Sequence, residues 1–234
     1  MEKIFIATPA FGHQVFIPYV EGLIKFTSGV APKDLQFETN IHLHSGSALI
    51  TEARNMCVSN FLESDCTKLL FIDADIGFEP EDIWRLLRKN EDVVLAPYVL
   101  KNLENASSLK MVLHYNDKDN VEVSADGFTE IKGGPAGFMM IDRKVFEKLH
   151  EAFPEKKQPL KHIVRGQMVE EKNYYTYFDC AIDPQEGCVG EDLAFCFMWK
   201  SIGGKIFCDT KAELTHIGVH KFSGSLVETL IEKS

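Results

Sequence analysis

The chain has 234 residues, 45% of them hydrophobic and 26% charged, which is typical of a globular protein with one large core. Its 25 Lys and Arg residues stand against 35 Asp and Glu residues, so the formal charge is −10. This balance excludes a surface that coats nucleic acid, because binding to phosphate depends on basic residues. The sequence has no apolar run of about 18 residues, so we expect no integral membrane segment.

The cysteines indicate a reducing compartment. The six cysteines include no Cys-x-x-Cys pair, and several lie within apolar runs, as Cys196 and Cys208 do. A free thiol in such a run behaves as a small hydrophobic group. The apolar run at the amino terminus breaks at Pro9 and Gly12, too early for a signal peptide. We therefore expect a cytoplasmic protein, in a bacterium or, for a viral protein, in the host.

The first hundred residues alternate between short apolar runs and amphipathic stretches. The pattern predicts strands at 3–7, 37–44, 68–72 and 92–96 and helices at 16–26, 47–61 and 80–90. Ser47 is the expected cap of the second helix, and the acids of Glu79-Pro80-Glu81-Asp82 mark the start of the third. A series of this kind favours a parallel sheet with right-handed crossovers.

The remaining sequence is less regular. We expect strands at 111–115, 121–123, 138–141 and 205–209, helices at 143–152, 191–201 and 226–233, and an end of the ordered core at 214–218. Residues 154–190 carry few periodic signals and much Pro, Lys, Gly and Tyr, which is typical of a long functional loop.

Two carboxylates stand directly behind the third predicted strand, in the stretch FIDADIGFEP at 71–80. Residues i and i+2 of an extended segment point the same way, so Asp73 and Asp75 are expected to face one ligand. Their like charges require a cation or hydrogen-bond donors. Hard oxygen ligands suit Mg²⁺ or Mn²⁺, which commonly bridge to substrate phosphates. The alternative is a turn whose carboxylates cap backbone amides.

Ligands of open parallel sheets bind outside the carboxyl ends of the strands. Thr8-Pro9 after the first strand and Asp73-Ala74-Asp75 after the third both occupy such ends. We therefore expect them to lie near one pocket.

The stretch LLFIDADIGFEPEDI resembles the Asp-x-Asp region of nucleotide-sugar glycosyltransferases with the GT-A fold. The strand IFIATPAFG, the triplet ARN at 53–55, the loop GGPAGFMMIDR, the triplet GED at 190–192 and His216 follow in the order that these enzymes use. The resemblance covers residues 3–218, and the chain is similar in size to small viral, phage or bacterial members.

This resemblance implies an α/β fold in a single domain, 1–234, with a mixed central sheet flanked by helices. Residues 1–100 would form a Rossmann-type nucleotide-binding half, and residues 101–225 an acceptor and catalytic half. The implied activity is metal-dependent transfer of a sugar from a UDP- or GDP-linked donor to a glycan, lipid-linked or protein acceptor, with inversion.

The family's functional residues map onto particular positions. The resemblance implies nucleotide-sugar contacts by Thr8, Pro9, Arg54, Asp73, Ala74 and Gly134, a Mn²⁺ or Mg²⁺ site at Asp75, Asp73 and His216, and catalysis by Asp192 as general base with Glu191 beside it. The segment 154–190 would close over the donor and exclude water.

Each assignment has a simpler structural alternative. A helical arginine such as Arg54 is often ion-paired, Asp192 is placed as a first-turn acid that complements the helix dipole, and a lone histidine such as His216 is often a satisfied core residue.

Three other functions use related patterns. A sugar-phosphate nucleotidyltransferase needs a basic, glycine-rich loop after the first strand, and residues 7–13 contain one Gly and no Arg or Lys. An aspartyl-phosphate phosphatase carries its Asp-x-Asp after the first strand, whereas this one follows residue 72. A non-catalytic nucleotide- or sugar-binding module is compatible with every residue named above.

Overall fold

The computed structural model describes residues 1–101, 111, 113–117, 119–164, 166–218 and 221–227. The described α-helices are α1 Ile17–Ser28, α2 Ile50–Glu63, α3 Pro80–Lys89, α4 Arg143–Ala152 and α5 Glu191–Ser201. The described strands are β1 Glu2–Pro9, β2 Phe37–His44, β3 Lys68–Ile72, β4 Ile76–Gly77, β5 Val93–Leu95, β6 His114–Tyr115, β7 Phe128–Gly133, β8 Phe138–Asp142, β9 Lys157–Val164, β10 Gln167–Tyr175, β11 Ala181–Asp183, β12 Gly187–Val189, β13 Phe207–Asp209, β14 Thr215–Ile217 and β15 Lys221–Ser223. The predicted helix at 226–233 lies mostly outside the described residues.

A mixed sheet of eight strands forms the centre of the protein, in the order β2-β1-β3-β8-β5-β13-β7-β6. β1 runs parallel to β2 and β3, whereas β8 lies antiparallel between β3 and β5. β13 is parallel to β5 and antiparallel to β7. The predicted fold class, α/β with a mixed central sheet flanked by helices, is confirmed. It differs from a wholly parallel first half because β8, from later in the chain, separates β3 from β5.

Helices cover both faces of this sheet, and alternate strand residues decide which face each side chain supports. Phe5 of β1 packs on the face with α2, α4 and α5, and its neighbours Ile4 and Ile6 pack on the face with α1 and α3. Burial of each such side chain stabilises the fold by about 1.5–3 kcal/mol. None of the described helices is long and apolar enough to cross a membrane.

The segment 154–190 is not the irregular loop that its composition predicts. It contains two antiparallel hairpins, β9 with β10 and β11 with β12. Much of both hairpins is exposed, including Ile163, Met168 and Ile182. Of the side chains described in these strands, only Tyr174, Tyr175 and Val189 are buried, so the strands lack the apolar alternation by which a half-buried strand is recognised.

Two other local predictions are wrong for identifiable reasons. Residues 121–123 form no strand, and β6 pairs with β7, which also pairs with β13. Helix α2 begins after Leu49, which makes no side-chain cap, and the hydroxyl of Ser47 pairs instead with Nε2 of His44 at 2.9 Å. The start of α3 is where the acids of residues 79–82 predict it, and Glu79 and Asp82 also form a capping box with both reciprocal hydrogen bonds.

The topology brings distant segments to one edge of the sheet. β1, β3 and β5 all end there, and the antiparallel β8 begins there, since Phe138 pairs with Ile72. A small second sheet, β15-β14-β4, adds His216 to the same edge through its pairing with Ile76.

Candidate functional site

The triplet Asp73-Ala74-Asp75 is fixed by its backbone where β3 ends. The N–H of Asp73 donates to the carbonyl oxygen of Gly137 at 2.9 Å, directly before β8. The carbonyl oxygens of Ala74 and Asp75 accept hydrogen bonds from the segment before α1 and from β14, each at 2.9 Å. Both carboxylates remain partly exposed, with 23% and 26% of each side chain accessible. The two acids are therefore accessible at the carboxyl edge of the sheet.

Arg54 on α2 binds two carboxylates from different parts of the chain. Its Nη2 donates to Oδ2 of Asp73 at 3.0 Å, its Nη1 lies 3.0 Å from Oδ1 of the same residue, and its Nε donates to Oε1 of Glu191 at 3.2 Å. The guanidinium lies over the ring of Phe71 and is only 3% exposed. Burial alone lowers the pKa of Arg54, but the charges of Asp73 and Glu191 outweigh it and raise that pKa. As placed, Arg54 joins the end of β3 to the start of α5.

Asp75 has different partners. The ammonium of Lys101 donates to its Oδ2 at 2.5 Å, and Nε2 of His216 lies 3.8 Å from the same oxygen. The Lys101 side chain is 33% exposed. One carboxylate oxygen is thus shared by a flexible cation and a ring nitrogen.

The imidazole of His216 is oriented by its other nitrogen. Nδ1 lies 2.9 Å from the carbonyl oxygen of Val99, which can only accept, so Nδ1 carries the proton and Nε2 keeps its lone pair. The ring packs edge-on against Tyr98 at 4.7 Å between centroids. Burial, with help from the charge of Lys101, lowers the pKa of His216. The neutral ring presents Nε2 toward Asp75.

Tyr98 and Gly137 are placed among the acids. Burial first, and then the negative charges of Asp73, Asp192 and Asp75, hold the pKa of Tyr98 well above its ordinary value. A Cβ added to Gly137 would lie 2.4 Å from the Tyr98 hydroxyl oxygen and 2.6 Å from Oδ2 of Asp73. Only glycine allows this approach of β8 to the triplet.

Asp192 stands beside Glu191 in the first turn of α5. Its Oδ1 accepts from the N–H of Leu193 at 2.8 Å. Burial first, and then repulsion by Glu191, raises the pKa of Asp192, although the Leu193 N–H and Arg54 oppose the shift. A carboxylate with a raised pKa is a stronger base than an ordinary one. Glu191, in contrast, has its Oε1 on Arg54.

A cavity of about 420 Å³ opens at the ends of β1 and β2. Its lining includes Pro9, Ala10, Phe11, residues 44–50 and Ala53. Phe11 is 79% exposed beside the cavity, so its ring has a free face. Thr8 is fully buried, and its hydroxyl pairs with that of Tyr19 at 2.7 Å. Pro9 therefore faces the cavity, whereas the Thr8 side chain supports the core.

Gly134 is packed away from these groups. A Cβ there would lie 3.0 Å from Leu95 and from Leu113, and its carbonyl oxygen accepts a weak hydrogen bond from Cys196. The other predicted residues except Thr8 converge on the edge of the sheet. Sequence reasoning missed Tyr98 and Lys101, because no motif marks them and their partners lie more than twenty residues away.

Asp75 and His216 fit a divalent ion as a pair. Carboxylate oxygen and neutral imidazole nitrogen are both accepted ligands of Mn²⁺, and the Val99 hydrogen bond already aims Nε2. Among the described residues, no group of three His, Cys, Asp or Glu side chains is arranged to hold a metal. Asp73 contributes less readily because Arg54 donates to its Oδ2 and neutralises its charge. Further ligands would come from a substrate or water, as is usual for such ions.

No protein-family model matches the sequence, and no curated protein matches it. Among solved structures the chain is similar to A197 from STIV, with a TM-score of 0.56 and 19% identity over 97% of this chain and 91% of that one. At this identity, the similarity shows a shared fold alone.

Two more distant structures are also similar. One is GalNAc-T7 with UDP, GalNAc and Mn²⁺, at a TM-score of 0.49 and 11% identity over 93% of this chain and 44% of that one. The other is 4-diphosphocytidyl-2C-methyl-D-erythritol synthase from Anaerococcus prevotii, at a TM-score of 0.36 and 13% identity over 68% and 80%. Both similarities are too low for a conclusion about this chain.

Proposed function

We propose that the chain is a glycosyltransferase that moves a sugar from a nucleoside-diphosphate sugar to a hydroxyl acceptor with the help of a divalent ion. The observation that supports this most is that Asp75, His216 and Asp192, which are far apart in sequence, all lie close to Tyr98 at the carboxyl edge of the sheet. The resemblance of the Asp-x-Asp region to GT-A glycosyltransferases agrees with this position.

The nucleoside of the donor fits the cavity beside Pro9. A volume of about 420 Å³ suits a nucleoside, and the exposed ring of Phe11 offers a stacking surface. From there the diphosphate would extend toward Asp75. The arrangement favours no particular base.

Transfer requires a base and a neutralised leaving group. Asp192 would accept the proton of the acceptor hydroxyl as its oxygen bonds to the anomeric carbon, while the bond from that carbon to the phosphate oxygen breaks and its electron pair leaves with the diphosphate. Asp75 and His216 would hold Mn²⁺ or Mg²⁺, which offsets charge on the diphosphate when bound. Arg54 would keep Asp73 and Glu191 fixed, so that the edge keeps its shape.

Calorimetric titration tests the donor site. Purified protein would be titrated with UDP, GDP, CDP and their sugar conjugates, each with and without Mn²⁺. We expect metal-dependent binding of one nucleoside diphosphate, lost in Asp75→Asn but kept in Asp34→Asn, whose exposed carboxylate pairs with Arg88 of α3. The sugar conjugate that binds would then be incubated with candidate acceptors.

Two outcomes separate the alternatives. Binding without any transfer or hydrolysis would indicate a non-catalytic binding module. If no nucleotide binds, the proposed function is wrong.

A further inference from the structure

The ammonium of Lys101 binds the carboxylate oxygen of Asp75 that a cation shared with His216 would need. Its Nζ lies 2.5 Å from Oδ2 of Asp75, and Nε2 of His216 lies 3.8 Å from that same oxygen. A divalent ion bound to both groups would stand about 2.1 Å from the oxygen. Two cations cannot share one carboxylate oxygen at these distances without strong repulsion.

Lys101 reaches this position by a defined route. Its aliphatic stem runs over Gly218, where an added Cβ would lie 3.0 Å from Cδ of Lys101. Two residues earlier, the carbonyl oxygen of Val99 holds the ring of His216. The same segment after β5 therefore orients one metal ligand and delivers the competing charge.

The contact is also exchangeable. The Lys101 side chain is 33% exposed, and a partly exposed lysine pair of this kind is worth little free energy. Lysine has a long flexible stem and a single point charge, so its ammonium can turn to another anion without disturbing the backbone.

We propose that Lys101 excludes divalent ions from Asp75 until a diphosphate is present. The exclusion itself concerns the nucleotide-free protein. Its release rests on the proposed function: a donor diphosphate would give the ammonium a new partner and give the ion its further oxygen ligands. Lys101 then becomes a donor-binding residue, and ion and donor bind together.

Manganese titration of the nucleotide-free protein, followed by electron paramagnetic resonance of free Mn²⁺, tests the exclusion. Lys101→Met keeps the stem over Gly218 and removes the charge, so we expect Mn²⁺ to bind about tenfold more tightly than in the unaltered protein. Lys101→Arg keeps the charge and should retain weak binding. Lys144→Met is the matched control, because Lys144 pairs with Asp92 at 2.7 Å near the amino end of β5, and it should change nothing.

The Asp75→Asn background locates the effect. There, Lys101→Met should no longer alter Mn²⁺ affinity, because the carboxylate charge for which the ammonium and the ion compete is gone. Addition of UDP or GDP should raise Mn²⁺ affinity more in the unaltered protein than in Lys101→Met. In the unaltered protein, the nucleotide also relieves the repulsion between Lys101 and the ion, and this relief adds to the coupling free energy between nucleotide and Mn²⁺.

Failure of this inference is distinct from failure of the proposed function. Equal Mn²⁺ affinity in the unaltered protein and Lys101→Met, or no Mn²⁺ binding by either, overturns the exclusion even if nucleotides bind. A tenfold difference without binding of any nucleoside diphosphate supports the exclusion by Lys101 but contradicts the proposed donor.

Discussion

Asp73 and Asp75 lie two residues apart, yet their cations differ in kind. Asp73 is bound by Arg54, a guanidinium that is 3% exposed and also holds Glu191. Asp75 is bound by Lys101, whose side chain is 33% exposed. Departure of Arg54 would leave two carboxylates without a partner, whereas departure of Lys101 would leave one that water can reach.

The same division occurs at the start of α5. Glu191 binds Arg54, whereas its neighbour Asp192 accepts from the N–H of Leu193 and has a pKa raised by burial and by Glu191. In each acidic pair, one carboxylate is bound by the buried Arg54, and we call Asp73 and Glu191 the locked carboxylates. The other carboxylate of each pair is not bound by Arg54, and we call Asp75 and Asp192 the available carboxylates. The comparison predicts opposite effects on activity and stability for the two kinds.

Replacement of Asp192, the proposed general base, should have the largest effect on sugar transfer. We expect Asp192→Asn to lower the turnover of sugar transfer by about 10² to 10⁴, because general-base assistance of that size is lost. The free energy of unfolding should stay close to that of the unaltered protein. Release of nucleoside diphosphate at saturating donor and acceptor measures the first quantity, and urea unfolding the second.

The pH dependence of transfer checks the same residue. Transfer needs the ionised form of Asp192, so activity should fall as pH decreases through its raised pKa, at a higher pH than for an ordinary carboxyl group. Glu191→Gln removes a repelling charge and should move this acidic limb to lower pH. An unmoved limb would show that another group controls it.

Replacement of Arg54, the cation that binds the two locked carboxylates, should mainly affect stability. Arg54→Met leaves Asp73 and Glu191 without their shared cation, and we expect it to lower the free energy of unfolding by about 3–5 kcal/mol. Arg88→Met is the control, because Arg88 pairs with Asp34 at the surface and its loss should cost at most about 1 kcal/mol. Equal midpoints of urea unfolding for the two variants would contradict the division.

The close approach of β8 gives a smaller effect. In Gly137→Ala the new methyl group meets the Tyr98 hydroxyl at 2.4 Å, and we expect a loss of about 1–3 kcal/mol in the free energy of unfolding. Tyr98→Phe removes the nearest atom, so the double variant should lose less than the sum of the two. If thermal unfolding shows that the loss in the double variant equals the sum of the two single losses, the strain does not arise from contact with the Tyr98 hydroxyl.

Local patterns were enough to predict the parts of the site that are continuous in sequence. The apolar run before Asp73 and the end of β1 at Pro9 placed both on one edge, because parallel strands end together. The first-turn position of Asp192 followed from Gly190 and the helical pattern after it.

Contacts between residues that are distant in sequence have no local pattern that predicts them. Lys101 follows Asp75 by twenty-six positions and lies in no motif, and Gly137 contacts Asp73 only because β8 inserts beside β3. A guanidinium such as that of Arg54 suits phosphate and carboxylate equally well, so its residue type alone does not distinguish a nucleotide contact from an internal ion pair. Tertiary pairing decides such cases.

The smallest effect separates the two aspartates most directly. Asp75→Asn replaces a partly exposed lysine pair, so we expect the free energy of unfolding to change by less than about 1 kcal/mol. Asp73→Asn removes one of the two charges that neutralise the buried Arg54, and it should cost clearly more because the guanidinium cannot reach water. Urea unfolding at one pH compares these two variants, in which the same chemical change is made at positions two residues apart. Equal losses would mean that Arg54 holds the edge no more firmly than Lys101, and the division into locked and available carboxylates would then be wrong.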